Sequence, residues 1–264
     1  MMAADNICDL LMLKPTIHRF FNALTFYTRV PGPNWVEYSA DNLNRASGFF
    51  PFMGYLVAIW CYAVYSLCAT YLPADISLLI SMVAGILLTG AFHEDGFADL
   101  CDGFGGGYDQ ASILRIMKDS RLGTYGVSGL LLILLLKWNS LTHIPAETLF
   151  LSLLIAHSLS RAWAISLIMV LPYVQQDEMS KAKPIAKQWF AQDMLLAWLF
   201  ALLPLVFIPI LTSALLLGVG LGIFFLTARW YQHRLQGYTG DALGASQQIH
   251  EVMIYLFILA ATQF

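Results

Sequence analysis

Charge is what this sequence has least of: only 12% of its 264 residues are Asp, Glu, Lys or Arg, about half the share of a soluble globular domain. With 58% hydrophobic residues and a mean hydropathy of +0.66, the chain reads as an integral membrane protein. The formal net charge is −3 and no basic stripe runs along any segment, which argues against a nucleic-acid partner. The four cysteines, Cys8, Cys61, Cys68 and Cys101, form no CxxC pair and no zinc spacing. Residues 1–16 lack the charged start, apolar centre and small-residue cleavage site of a signal peptide, so insertion is expected through the chain's own helices. There is no low-complexity tract, convincing internal repeat or soluble domain; 1–264 reads as a single membrane domain.

What is present is long apolar runs. Spanning a bilayer takes roughly 20 mostly apolar residues. That rule places membrane helices near 48–71, 75–93, 124–143, 147–171, 193–209, 211–229 and 247–264, with Lys137 and Trp138 interrupting the third. The stretch 194–228 is too long for one pass, and Pro204 and Pro209 suggest where it breaks. Ile17 to Val30, aromatic with basic residues toward both ends and stopped by Pro31-Gly-Pro33, is too short to span and suits an interfacial amphipathic helix. The expected fold is therefore all-α: a polytopic bundle of about seven transmembrane helices behind an N-terminal interfacial helix. Of the 14 Lys and Arg residues, all but Lys137 and Arg161 fall on one side of such a bundle, which makes that side cytoplasmic.

The acids gather on the same side. Glu94, Asp95, Asp99 and Asp102 crowd four carboxylates into nine residues directly after an apolar run, with Gly105-Gly-Gly107 behind them. If the helix continues through them, Asp95, Asp99 and Asp102 share a face at i, i+4 and i+7, while Glu94 points about 100° away. Like charges this close call for a compensating cation, and all-oxygen donors select a hard one such as Mg²⁺. The bland alternative is a solvated acidic helix end.

Two further polar patches lie on that side. In Ile113 to Gly126, Ile113, Ile116, Met117 and Ser120 can face apolar surface, whereas Lys118 and Arg121, at i and i+3, can hold phosphate oxygens or merely meet lipid headgroups. Asp241, within Gly237 to Ala245, is either a helix cap or a further ligand or base. Besides Lys137, three candidate residues fall inside spans: His157, Arg161 and Glu251. A carboxylate one or two turns into a membrane helix must face the bundle interior, and intramembrane charges are functional candidates whose competing reading is pairing across helices. Lys181, Lys183 and Lys187 suit a positive-inside loop and could also attract a phosphorylated substrate.

Six blocks then occur in a telling order: Phe26-Tyr-Thr-Arg-Val-Pro31, Phe50-Pro-Phe-Met-Gly54, Phe92-His-Glu-Asp-Gly-Phe-Ala-Asp-Leu-Cys-Asp-Gly103, Ile116-Met-Lys-Asp-Ser-Arg-Leu-Gly-Thr-Tyr-Gly126, Ser160-Arg161 and Thr239-Gly-Asp-Ala-Leu-Gly-Ala245. With them the chain resembles the cobalamin synthase (adenosylcobinamide-GDP ribazoletransferase) family over all but its first dozen residues. Gln248 is a small departure, since some relatives carry an acid there. The resemblance implies a bacterial inner-membrane transferase with its site facing the cytoplasm. It implies joining of adenosylcobinamide-GDP to α-ribazole or α-ribazole phosphate, with release of GMP and use of Mg²⁺. On that reading Glu94, Asp95, Asp99 and Asp102 are the catalytic and metal residues, and Lys118, Arg121, Asp241, Arg161 and Glu251 bind substrate. Membrane lipid is a further partner, and a homo-oligomer is compatible with the sequence. Asp99 to Gly103 also resembles part of the CDP-alcohol phosphotransferase motif, though the downstream spacing departs from it. The reading from a different class is an ion transporter, which would place its acids near the bilayer midplane and show two matching broken-helix halves.

Overall fold

The computed structural model describes the backbone of residues 2–174 and 188–261, and side chains from Lys14 onward within those ranges. Lys181, Lys183 and Lys187 lie outside the described residues. The chain forms α1 (Met2–Tyr27), α2 (Ala40–Arg45), α3 (Phe50–Ala69), α4 (Ala74–Thr89), α5 (Phe92–Gly106), α6 (Gln110–Met117), α7 (Thr124–His143), α8 (Ala146–Ser166), α9 (Ala191–Leu202), α10 (Ile210–Leu235) and α11 (Gly240–Ala261). No strand is assigned among the described residues.

The bundle is built around α8, whose His157 and Arg161 face inward with its serines; 89% of its apolar stretch is buried inside the bundle, so other helices and not lipid surround it. Small residues make that enclosure close. A Cβ at Gly54 of α3 would collide with the backbone of His157, so α3 and α8 touch main chain to main chain there. α11 packs along both α8 and α5, α4 lies against α3, and α7 closes on α5 and α4. Arg45 of α2 reaches Asp193 of α9 at 3.0 Å and lies over the Phe190 ring, tying the N-terminal helices to the far side of the bundle.

The segments Ala40–Ala69, Thr124–His143, Ala146–Met169 and Ile210–Leu235 are long and apolar enough to cross a membrane, and α4 with α5 makes a fifth if counted as one broken span. The chain is thus a helical membrane bundle, with four or five such helices among the described residues where the sequence suggests seven. Two expected spans account for the difference from five, and the expected 75–93 is the third when the bent α4–α5 pair is not counted. Helix α9 stops after 12 residues and passes into a 3₁₀ turn carrying Pro204, as the proline placement suggests. Helix α11 spends its first half on Gln247, Gln248, His250 and Glu251, all buried, so its polarity faces inward.

The bend between α4 and α5 sets up the site. Gly90 and Ala91 both adopt left-handed backbone (φ 70° and 59°), and the axis turns by 89°. Glycine is the usual residue at such a helix end; here a Cβ would also strike the Arg29 guanidinium resting above it. Ala91 carries the same twist with a Cβ, at a cost of about 1 kcal/mol. The acidic segment thereby leaves the line of the span and becomes a separate helix.

Candidate functional site

The helix does continue through the acids, so Asp95, Asp99 and Asp102 all belong to α5. They occupy three different environments along its length: Asp95 is exposed, Asp99 half-buried and Asp102 buried. A second helix contributes a fourth carboxylate. Gly96 has no Cβ to hold α11 off, and one placed there would meet the backbone of Asp241 at 2.8 Å. This contact sets Asp241 beside the acidic face. Burial, followed by the charges of Asp241, Asp95 and Asp102, pushes the Asp99 carboxyl up to about 7. Burial and then Asp95 raise Asp241 to about 6. Among the described residues, the side chains of Asp95, Asp99 and Asp241 have neither a hydrogen bond nor an ion pair.

Asp102 is engaged differently. Its Oδ2 accepts the Gly123 N–H and its Oδ1 the Gly126 N–H, both at 2.7 Å. These are orphan donors at the start of α7, so a side chain from α5 performs the capping that Gly123 cannot. The arrangement explains both glycines, because a Cβ on either would overlap the carboxylate. Asp102 thus locks α7 onto the acidic helix.

Glu94 turns away from the acidic face, as its 100° offset predicts, and is buried among residues of α7, α8 and α11. Its Oε1 accepts from Gln248 Nε2 at 3.0 Å. Arg161 and Glu251 are there too, lining the same enclosed space with Lys137 and His157. Lys137 Nζ pairs with Glu251 Oε1, and Gln247 Nε2 donates to Oε2 at 2.6 Å. Arg161 donates to the His157 carbonyl at 2.7 Å and lies over the Phe50 ring. The structure therefore divides the sequence candidates into a carboxylate face (Asp95, Asp99, Asp241), a helix lock (Asp102) and a buried polar node (Glu94, Arg161, Glu251).

The basic candidates lie beside the acidic helix. Helix α6 starts with a capping box between Asp109 and Ser112 and buries Ile113 and Met117 against Gly103. It ends at Met117, so Lys118 is its C-cap and Arg121 lies beyond it; the expected i, i+3 pair on one helix is not formed. Both side chains are exposed, and the Arg121 guanidinium bonds Asp119 at 2.6 Å. That pairing pulls the Asp119 carboxyl down to about 2. Arg121 borders an open cleft of about 330 Å³ that it shares with Asp102, Gly106 and Thr124.

Several residues here were not singled out in the sequence. Arg234, at the end of α10, donates to the carbonyls of Phe104 and Gly107 at 2.9 and 2.8 Å and covers the Phe104 ring. It caps the glycine-rich end of α5, where orphan carbonyls welcome a cation. A basic residue in the last turn of an apolar helix was the only sequence signal for it.

Among the described residues no three His, Cys, Asp or Glu side chains converge into a group that could hold a metal ion. The donor chemistry nevertheless fits magnesium, which is commonly held by one or two carboxylates with waters and substrate phosphates completing its octahedron. Asp95, Asp99 and Asp241 supply oxygen only, unpartnered, from two helices that Gly96 fixes in contact.

Fold and site together define a helical membrane protein whose acidic helix, bent off the preceding span, packs on α11 with Asp95, Asp99 and Asp241 free of hydrogen-bond partners. The model of the cobalamin-5-phosphate synthase family matches residues 19–259. A protein from Shewanella oneidensis named adenosylcobinamide-GDP ribazoletransferase is 43% identical over 92% of this chain and 94% of its own length. One of the same name from Shewanella frigidimarina is 44% identical over 92% and 95%. No solved structure matches. The chain belongs to the cobalamin-5-phosphate synthase family and is an enzyme of cobalamin synthesis.

Proposed function

We propose that the chain joins adenosylcobinamide-GDP to α-ribazole, or to α-ribazole 5′-phosphate, giving adenosylcobalamin or its 5′-phosphate and GMP. A ribose hydroxyl of the acceptor attacks the phosphorus on the cobinamide side of the pyrophosphate. A new P–O bond forms, the bond to the GMP oxygen breaks, and the hydroxyl proton passes to a carboxylate base. The observation that carries this reading is the close packing of α5 on α11 at Gly96, which brings the Asp241 backbone to the helix of Asp95 and Asp99, carboxylates without hydrogen-bond partners, in a chain of this family.

Magnesium, held by Asp95, Asp99 and Asp241, would neutralise pyrophosphate oxygens that repel the incoming nucleophile. Lys118 is the C-cap of α6, and Arg121, in the loop after it, borders the cleft beside Asp102 farther along the acidic helix. An Arg121 fork released from Asp119 presents two parallel donors to a phosphate, the geometry an ammonium lacks. The half-burial of Asp99 excludes part of the solvent from one side of the carboxylate face, which strengthens charge interactions there. Lysine and arginine placement supports a cytoplasmic orientation of this face in a bacterial inner membrane, where a nucleotide-activated donor is available.

The test is turnover by detergent-purified protein supplied with adenosylcobinamide-GDP, α-ribazole and Mg²⁺. GMP released in step with a joined corrinoid is the expected result. Absence of both products under conditions that sustain a purified Shewanella relative would overturn the proposal.

A further inference from the structure

Four ionisable side chains meet inside the bundle: Glu94 of α5, Lys137 of α7, Arg161 of α8 and Glu251 of α11, exposed by only 7%, 8%, 2% and 1%. All four line one enclosed space of about 30 Å³. That volume accommodates a water molecule or two and no part of a nucleotide or corrinoid. Two cations face two carboxylates, so with His93 and His157 counted neutral the node carries no net charge. Direct bonds knit most of it: Lys137 and Tyr255 both donate to Glu251 Oε1, Gln247 to its Oε2, and Gln248 bridges Gln247 to Glu94 at 3.0 Å on each side. Glu94 Oε2, Gln248 Oε1, Arg161 Nε and His93 Nε2 are buried without a protein partner, and their residues all line this space. Two of these atoms are acceptors and one is a fixed donor, a mixture that suits water and suits neither a bare cation nor an anion.

We propose that this charge-neutral node anchors the acidic helix, and that Glu94 is a positioning residue held by charge balance with Lys137 and Arg161. Glu94 adjoins Asp95 in the chain and sits in the first turn of α5, so its fixing sets the rotation at which Asp95 and Asp99 meet Asp241. In a medium with no water to solvate an excess charge, deleting one member of a balanced set exposes its opposite.

The experiment is a charge-balance cycle on the full-length protein in detergent, with Glu94→Gln, Lys137→Met and the double variant read for thermal midpoint and for GMP release. Each single change leaves one uncompensated buried charge and should lower the midpoint by roughly 5 °C or more, with activity falling about tenfold. The double change leaves Arg161 facing Glu251 and should restore both readouts, the rate to within about twofold of wild type. Should a single variant fail to accumulate, recovery of folded, active protein in the double supports the proposal in the same way. Silent single changes, or losses that add in the double, would overturn it. A double variant that regains its midpoint but not its activity would also overturn it, by showing that Glu94 acts on the reaction itself. The activity arm rests on the proposed transfer; the stability arm does not, so failure of one is distinguishable from failure of the other.

Discussion

Replacing Asp102 separates a structural carboxylate from a reactive one within a single helix. Its two oxygens accept the Gly123 and Gly126 N–H groups at 2.7 Å each in a buried setting. Hydrogen bonds to an ionised acceptor contribute about 1.5–3 kcal/mol apiece, so Asp102→Ala should destabilise the fold by about 3–6 kcal/mol. Asp102→Asn keeps one acceptor but turns an amide N–H toward a backbone N–H, and should cost roughly half as much. At this chain length such losses correspond to about 10 °C for Ala and about 5 °C for Asn in thermal midpoint. The assay is thermal unfolding in detergent beside a Mg²⁺ titration of GMP release. Both midpoints should fall in that order, while the activity that survives keeps the wild-type Mg²⁺ dependence. An Asp102→Asn protein of unchanged midpoint that has lost activity, or that needs much more Mg²⁺, would refute the reasoning and place Asp102 among the ligands.

Gly126→Ala pushes a methyl group into the Asp102 carboxylate and should reproduce most of the Asp102→Ala midpoint loss, about 2–4 kcal/mol, with a silent result counting against the lock. Arg121→Lys should lower donor-dependent GMP release about tenfold at matched expression if a bidentate fork holds the donor, whereas equality with wild type at every donor concentration assigns Arg121 to the lipid surface. Single cysteines at exposed Tyr71 and Tyr108, in a background with the four native cysteines changed to serine, should be labelled from opposite sides of the membrane; labelling from one side would overturn the orientation.

The apolar pattern made most of the bundle legible. The expected span 124–143 coincides with α7, and the break near Pro204 and Pro209 is real, because hydropathy and proline act locally. The extent of α9 was not legible: its apolar run continues to Phe207, yet the helix gives way to a 3₁₀ turn ahead of Pro204. Within the site, helical spacing alone set Glu94 apart from Asp95 and Asp99. What spacing could not supply was partners. Lys137 looked like an interruption of an apolar span, and only the packing of α7 against α11 makes it the counter-ion of Glu251. Asp102 shares a helical face with Asp95 and Asp99 by spacing; its role came from the arrival of α7, 21 residues downstream in the chain, with two free N–H groups. Of the two readings of Asp241, the helix cap falls to Thr239, whose Oγ1 accepts the Ala242 N–H at 3.1 Å, and Gly96 lets α11 approach the acidic helix.

The reading of Asp95 and Asp99 as magnesium-holding residues of a phosphotransfer site is tested most directly by Asp99→Asn. Asp99 is half-buried, feels the charges of Asp241, Asp95 and Asp102, and accepts no hydrogen bond among the described residues, so its replacement removes charge without breaking a structural bond. The measurement is GMP release from adenosylcobinamide-GDP across a Mg²⁺ series, with the thermal midpoint recorded on the same preparation. The expected result is a midpoint at or above that of wild type, because mutual carboxylate repulsion is relieved, together with loss of at least about a thousandfold in rate, several kcal/mol of transition-state stabilisation. Turnover within a few-fold of wild type, at an unshifted Mg²⁺ requirement, would contradict it.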